Sequence, residues 1–241
     1  MSAVAVFSGL AVQQPLESVV FPAFRRRYGV DVRATFEPTT ILVELLRKGA
    51  RADVVIGVEP ALRDLVRDGL LVEGSVEALI TTGLGIAVAP GAPLPPAATL
   101  EEFVALLVQA RSVAYSRAGA SGIYFAALIE RLGIADIVNS RATVIPSGYT
   151  GNCLLDGRAD VAIQQLSELC SVSGVQIVGP FPPAIQERTA FAVADVVSGR
   201  ENGNQDSVRG LREVLRSSEA RAAYVAAGLE PSARIEQPRG R

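Results

Sequence analysis

The sequence predicts an α/β fold built on mainly parallel sheets, and three observations carry that prediction. Short β-branched or aromatic runs alternate with amphipathic stretches of helical length through most of the 241 residues, which is the pattern of a sheet built from strand–helix units. Hydrophobic residues make up 49% of the chain and charged residues 20%, enough for a sizeable core and too balanced for a disordered chain. Two proline-rich stretches, 90–96 and 179–183, bracket a segment with strands of its own. The length fits one large domain or two lobes of roughly 100 to 130 residues.

The elements follow in order. Val4 to Phe7 is a strand that runs into Ser8-Gly9, and Leu16, Val19, Val20, Ala23 and Phe24 then recur at helical spacing across 15–28. The unit repeats as strand 30–36 with helix 39–48, strand 53–57 with helix 60–68, strand 84–89 with helix 99–110, and strand 112–115 with helix 121–132. Strand 142–145 with helix 149–156 and strand 159–164 with a short helix continue it. Residues 188–197 are again strand-like, 204–216 and 219–227 read as helices closing at Gly228, and 231–241 is a polar tail.

Composition excludes several classes of function. The 23 cationic residues, all arginine except Lys48, are scattered among 25 acidic ones for a formal charge of −2, so the basic field that nucleic-acid binding needs is missing. There is no histidine, and Cys153 and Cys170 are the only cysteines. A His-based catalytic triad is therefore excluded, and the usual zinc or haem ligand sets and a disulfide framework are absent. No metal and no cofactor is expected. Nucleotide binding is disfavoured too, since no Gly-Lys-Ser/Thr loop occurs and 119–122 lacks the dinucleotide spacing. No apolar run approaches the ~20 residues of a membrane span, and the opening Met-Ser-Ala-Val-Ala-Val-Phe-Ser-Gly is a strand rather than a secretory signal. As it stands the chain is expected in the cytoplasm, without membrane insertion, and in the periplasm if the native start lies elsewhere.

Ligands of open α/β sheets sit beyond the carboxyl ends of the strands, so the strand-to-helix turns hold the chemistry. Four of them, 7–11, 36–40, 115–122 and 145–151, are small, rich in hydroxyls or glycine, and run straight into a helix. Unpaired N–H groups and the positive dipole end at such a start favour an anion. Ser, Thr and Gly also serve as ordinary helix caps, but four such turns from two segments point to one anion-binding cleft. The candidate ligand residues are Ser8, Gly9, Leu10, Ala11, Thr39, Thr40, Arg117, Ser121, Gly122, Ser147, Gly148 and Tyr149. Tyr124, three residues into a helix, suits either ligand contact or packing between lobes.

With these turns in place, the chain resembles the type II periplasmic binding proteins, and within them the molybdate-binding family of ABC-transporter receptors. The residues that carry the resemblance are 6–9 with the helix after them, 24–32, and Gly49-Ala50-Arg51-Ala52-Asp53-Val54 with its flanks. Further on, 121–125, 157–165 and 174–180 match in order and spacing. The resemblance implies two α/β lobes, each a mostly parallel sheet flanked by helices, joined by two crossover strands and closing on a small oxyanion. Lobe one would be 1–82 with 191–241, and lobe two 83–190. The matching ligand positions are Ala11, Thr39, Ser121, the Ser147-Gly148 turn and Gln164, with Gln165 beside it. The family's serine falls at Ala11 and its tyrosine at Gln164, and 164–168 with 179–186 looks more like a divergent branch that includes aconitate isomerases. That branch implies carboxylate ligands.

Two functions follow from the resemblance. One is a solute-binding protein that delivers a small oxyanion or carboxylate to an ABC permease, if exported. The other is a soluble isomerase of an unsaturated di- or tricarboxylate, which must move a proton between carbons and needs an acid/base group titrating near neutral pH. Without histidine the titratable side chains in or near the cleft are Glu37, Tyr124, Tyr149 and Glu168, of which Glu37 or Tyr149 is expected to do the acid/base work, with Arg117 as a carboxylate clamp. Glu168 is expected to be paired or solvent-facing, and Cys153 to be a buried small hydrophobe.

Overall fold

The structure, a computed structural model, describes residues 3–200 and 203–232. Residues 233–241 of the expected polar tail lie outside them. The chain opens with β1 (Val4–Ser8), a 3-10 turn at Leu10–Val12, α1 (Gln13–Pro15), a π-helical turn at Leu16–Val20 and α2 (Phe21–Tyr28). The single helix expected over 15–28 is thus compound. Pro22 offers no N–H to the carbonyl four residues back, and the turn before it widens.

There follow β2 (Val32–Phe36), α3 (Thr39–Arg47), β3 (Val54–Val58), α4 (Glu59–Arg67) and β4 (Glu77–Val88). The central part consists of α5 (Leu100–Gln109), β5 (Val113–Ser116), α6 (Ala120–Arg131), α7 (Ala135–Asn139), β6 (Thr143–Ile145), α8 (Asn152–Leu155), β7 (Val161–Gln165) and α9 (Leu166–Cys170). The chain returns through β8 (Gln176–Pro180), β9 (Arg188–Asp195), α10 (Val197–Arg200), α11 (Gln205–Leu215), α12 (Ser218–Ala226) and β10 (Glu230–Pro231).

Strands run in the order β2-β1-β3-β9-β4-β7-β5-β6, with β8 and β10 also on β4. The pairs around β1 and around β5 are parallel, as βαβ units require. The antiparallel pairs all involve β4 or β9. Residues Glu77–Gly83 of β4 pair with β9, while Leu84–Val88 pair with β7 and β8. One long strand therefore belongs to both halves of the molecule.

Each half has its own core on both faces of its sheet. Val4, Val6 and Ile56 pack with Phe24, Leu211 and Tyr224, whereas Phe7 and Val55 point the other way to Leu42, Leu62 and Leu65. In the other half Val113, Tyr115 and Ile163 pack with Phe103 and Phe125, and Ala114 and Ala162 with Cys153 and Leu169. Strands apolar on both faces are those of a sheet covered by helices on each side. Among the described residues no helix is long and apolar enough to cross a membrane.

Candidate anion-binding site

The carboxyl ends of β1, β3, β5 and β7 point toward one place between the halves. There Gly9, Leu10, Pro38, Thr39, Val58, Ser116, Gly119, Ala120, Ser121, Gly148, Gln164, Gln165, Glu168 and Phe191 line a cavity of about 20 Å³. The 3-10 turn at Leu10, α3 at Thr39 and α6 at Ala120 all begin on its wall. The first N–H groups of each have no intrahelical acceptor and sit at a positive dipole end. Among the described residues no arginine or lysine lines the cavity.

Local packing fixes these donors. The Thr39 hydroxyl accepts the Val58 N–H at 3.1 Å, which leaves its own proton for a further acceptor. A side chain at Gly122 would put its Cβ 1.4 Å from the Ser116 carbonyl oxygen, so only glycine lets α6 start this close to β5. Gly148 adopts φ 92°, a left-handed conformation that suits glycine. The Ser116 hydroxyl and the Gln165 amide oxygen are buried without a hydrogen-bond partner.

Hydrogen bonds among the described residues join the halves around the cavity. Ser147 donates to Glu37 at 2.5 Å, Tyr149 donates to the Gln13 amide oxygen at 2.9 Å, and Thr40 donates to the Ala118 carbonyl at 2.7 Å. Gln164 is committed differently. Its oxygen accepts from the Thr150 N–H and hydroxyl at 2.8 and 2.9 Å, and its nitrogen donates to the Gly148 carbonyl at 2.9 Å, so it shapes the 148–150 turn.

Of the residues lining the cavity, only Glu168 is titratable. It is 8% exposed, and its Oε2 accepts a 3.2 Å bond from the Gln165 N–H. Burial pushes its carboxyl up to about 8, against a smaller downward pull from the Gln165 N–H and the Gln164 amide. Burial, then the nearby Glu168 and Glu17 charges, pushes the Tyr149 phenol well above its ordinary value. Burial also raises the Cys153 thiol, the direction expected of a thiol in apolar surroundings.

The model of the bacterial extracellular solute-binding protein family matches residues 4–230. The chain belongs to that family. It is 32% identical to an aconitate isomerase of a Pseudomonas species over 218 residues, 88% of this chain and 82% of the relative. It is 22% identical to the molybdate-binding protein ModA of Escherichia coli K12 over 222 residues, 90% and 84% of the two chains. The periplasmic molybdate-binding protein of Azotobacter vinelandii superposes with a TM-score of 0.78 at 20% identity, covering 95% of this chain and 100% of that one. The fold is that of the type II periplasmic binding proteins.

Within this solute-binding protein the expected site residues separate into two groups. Gly9, Leu10, Thr39, Ser121, Gly148, Gln164 and Gln165 line the cavity. The others do not. Ser8 is buried and donates to the Gly9 carbonyl at 3.1 Å, Ala11 lies in the core, and Gly122 is packed on Ser116. Thr40, Ser147, Tyr149 and Glu37 are engaged in the bonds between halves. Tyr124 donates to the Ile185 carbonyl at 2.8 Å, and Arg117 is exposed at the surface. Glu168, expected in or near the cleft and either paired or solvent-facing, is buried in the cavity wall, with the Gln165 N–H on its Oε2. The capping position three residues into a short helix was the signal for an inward carboxyl there. Pro38, Val58, Ser116, Gly119, Ala120 and Phe191 were also missed. Ser116 and Gly119 lie in a turn the sequence marks, whereas Phe191 reaches the site only through the crossing of β9.

Proposed function

We propose that this solute-binding protein captures a small oxyanion or carboxylate in the cavity between its halves, with 1–82 and 191–241 closing on 83–190 through β4 and β9. The convergence of three helix starts on one cavity without a cationic side chain carries this reading. Neutral N–H and hydroxyl donors solvate an anion with little reorganisation. The bonds Glu37–Ser147, Tyr149–Gln13 and Thr40–Ala118 are the latch that would close over it, and hinge closure is the expected motion. The relatives named for molybdate support an oxyanion, the one named for aconitate a carboxylate. A compact oxyanion needs less opening of a 20 Å³ cavity than a tricarboxylate does. If the protein is exported, its partner is an ABC permease that accepts the closed form. Titration calorimetry with molybdate, sulfate, cis-aconitate and trans-aconitate tests the reading: one of them should bind at one site per chain, and no binding by any would overturn it.

A second reading, an isomerase of an unsaturated carboxylate, is favoured by the Glu168 carboxyl held near 8 in the cavity wall and by the 32% identical aconitate isomerase. In this reading the ionised form of Glu168, populated as pH approaches 8, takes the proton from one carbon and returns it to another, since Glu37 and Tyr149 are not among the residues that line the cavity. Proton NMR of each aconitate isomer incubated with the protein tests it. Interconversion supports the enzyme, and its absence leaves a binding protein.

A further inference from the structure

The cavity assigned to an anion has an acid in its wall. Glu168 sits on α9, which packs against β4, β7, β8 and the 3-10 turn at Leu10–Val12. None of these elements brings a cation to it. The 3-10 turn, β7 and β8 carry no ionisable side chain, and Glu77 on β4 lies at the opposite end of that strand from Gly85, where Leu166 and Leu169 of α9 pack. Nearby, Tyr149 is the titratable group on the 145–151 turn, with Glu17 behind it, and Cys170 is on α9 itself. The Gln165 amide oxygen, also in the cavity wall, is buried without a partner. Besides the N–H and hydroxyl donors, then, the wall includes two residues with acceptor oxygens, Glu168 and Gln165. An ionised Glu168 and a fully ionised ligand would place two like charges together in about 20 Å³ with no cation between them, an arrangement that a low-dielectric site resolves by holding a proton between the two.

Resting on the anion-site reading above, we propose that Glu168 shares one proton with the bound anion, so that the site takes up its ligand together with a proton and selects anions able to accept a hydrogen bond from a carboxyl group. The Glu168 O–H donates to a ligand oxygen, the third kind of donor in the cavity beside helix N–H groups and the Thr39 and Ser121 hydroxyls. Burial already keeps the carboxyl protonated up to about pH 8, and an adjacent anion raises its proton affinity further. Below that pH, binding needs no extra proton. Above it, Glu168 must be reprotonated each time the anion enters, and affinity falls as pH rises.

The test is calorimetric titration of molybdate, sulfate and trans-aconitate, each separately, into the full chain near pH 7 and near pH 9, in two buffers that differ in ionisation enthalpy. The buffer difference counts protons. The expected result is an uptake of close to one proton per anion near pH 9 and an affinity about tenfold lower there than near pH 7. Glu168→Gln keeps a hydrogen-bond donor and cannot ionise. It should bind with the same affinity at both values and take up no proton. Binding near pH 7 with no proton uptake by the wild type near pH 9 would overturn the proposal while leaving the anion site intact, and so would an equal pH slope in the wild type and Glu168→Gln. Failure of all three anions to bind at either pH would overturn both. The wild-type proton count needs no variant, so it decides the matter even if Glu168→Gln folds poorly.

Discussion

Replacing Thr39 with valine removes one hydroxyl at the first position of α3 and keeps the shape of the side chain. Two consequences follow from the geometry. The Val58 N–H, which donates to the Thr39 oxygen at 3.1 Å in a half-buried position, loses its acceptor, and losing such a hydrogen bond costs about 0.5–1.5 kcal/mol of folding stability. The cavity also loses a hydroxyl proton aimed at the anion, a second loss of about 1–3 kcal/mol, or roughly five- to 150-fold in affinity. The methyl group that stays in place keeps its contact with Gly57, where a Cβ would meet Cγ2 at 3.0 Å, so no cavity opens behind it. Urea unfolding of the ligand-free protein measures the first loss and calorimetric titration of the variant the second. Thr39→Ser separates them further, because it restores both hydrogen bonds and gives up only the methyl group. An unchanged affinity of Thr39→Val for the anion that binds the wild type would remove this wall of the cavity from the account.

Other variants probe other parts of the account. Gly122→Ala should unfold the protein or lower its melting temperature by many degrees, because the new Cβ would lie 1.4 Å from the Ser116 carbonyl oxygen; a melt equal to that of the wild type would refute the close approach of α6 to β5. Tyr149→Phe combined with Ser147→Ala removes the Tyr149–Gln13 and Ser147–Glu37 bonds between the halves. The ligand-free double variant should show a larger radius of gyration in X-ray scattering and a faster ligand off-rate, and an unchanged profile would mean that these bonds do not hold the halves closed. The stability of the wild type relative to Glu168→Gln should fall as pH rises from about 5 to about 8. A carboxyl raised by burial from 4.5 to about 8 binds its proton in the folded state over a range where the unfolded chain has released it. Parallel urea midpoints across that range would contradict the burial of Glu168.

The strand–helix alternation was legible because each half is made of local units: β1 with α2, β5 with α6, and β7 with α9 each join neighbours in sequence. Elements set by distant contacts were not. β4 begins at Glu77 rather than at residue 84 because its first half pairs with β9, more than 100 residues away, and nothing local marks that pairing. The glycine- and hydroxyl-rich turns identified Gly9, Thr39, Ser121 and Gly148 because helix starts need such residues whatever binds there. The same pattern misled at Ser8, Thr40 and Ser147, whose hydroxyls are used by protein acceptors. The inward carboxyl was harder to see. In sequence, Glu168 is one acid on a short helix, and only the packing of α9 under β4 and β7 turns it into the sole titratable group of the cavity wall.

The central claim is that helix-start N–H groups from both halves meet one anion. Amide NMR tests it most directly: add molybdate, sulfate and the two aconitates in turn to ¹⁵N-labelled protein and follow the resonances of Leu10, Thr39, Thr40, Ala120, Ser121 and Gly148. The account predicts that one of these anions moves this set together along a single binding curve, with amides from both halves among the largest shifts. An anion that binds while leaving these amides in place, with its shifts elsewhere on the surface, would contradict it.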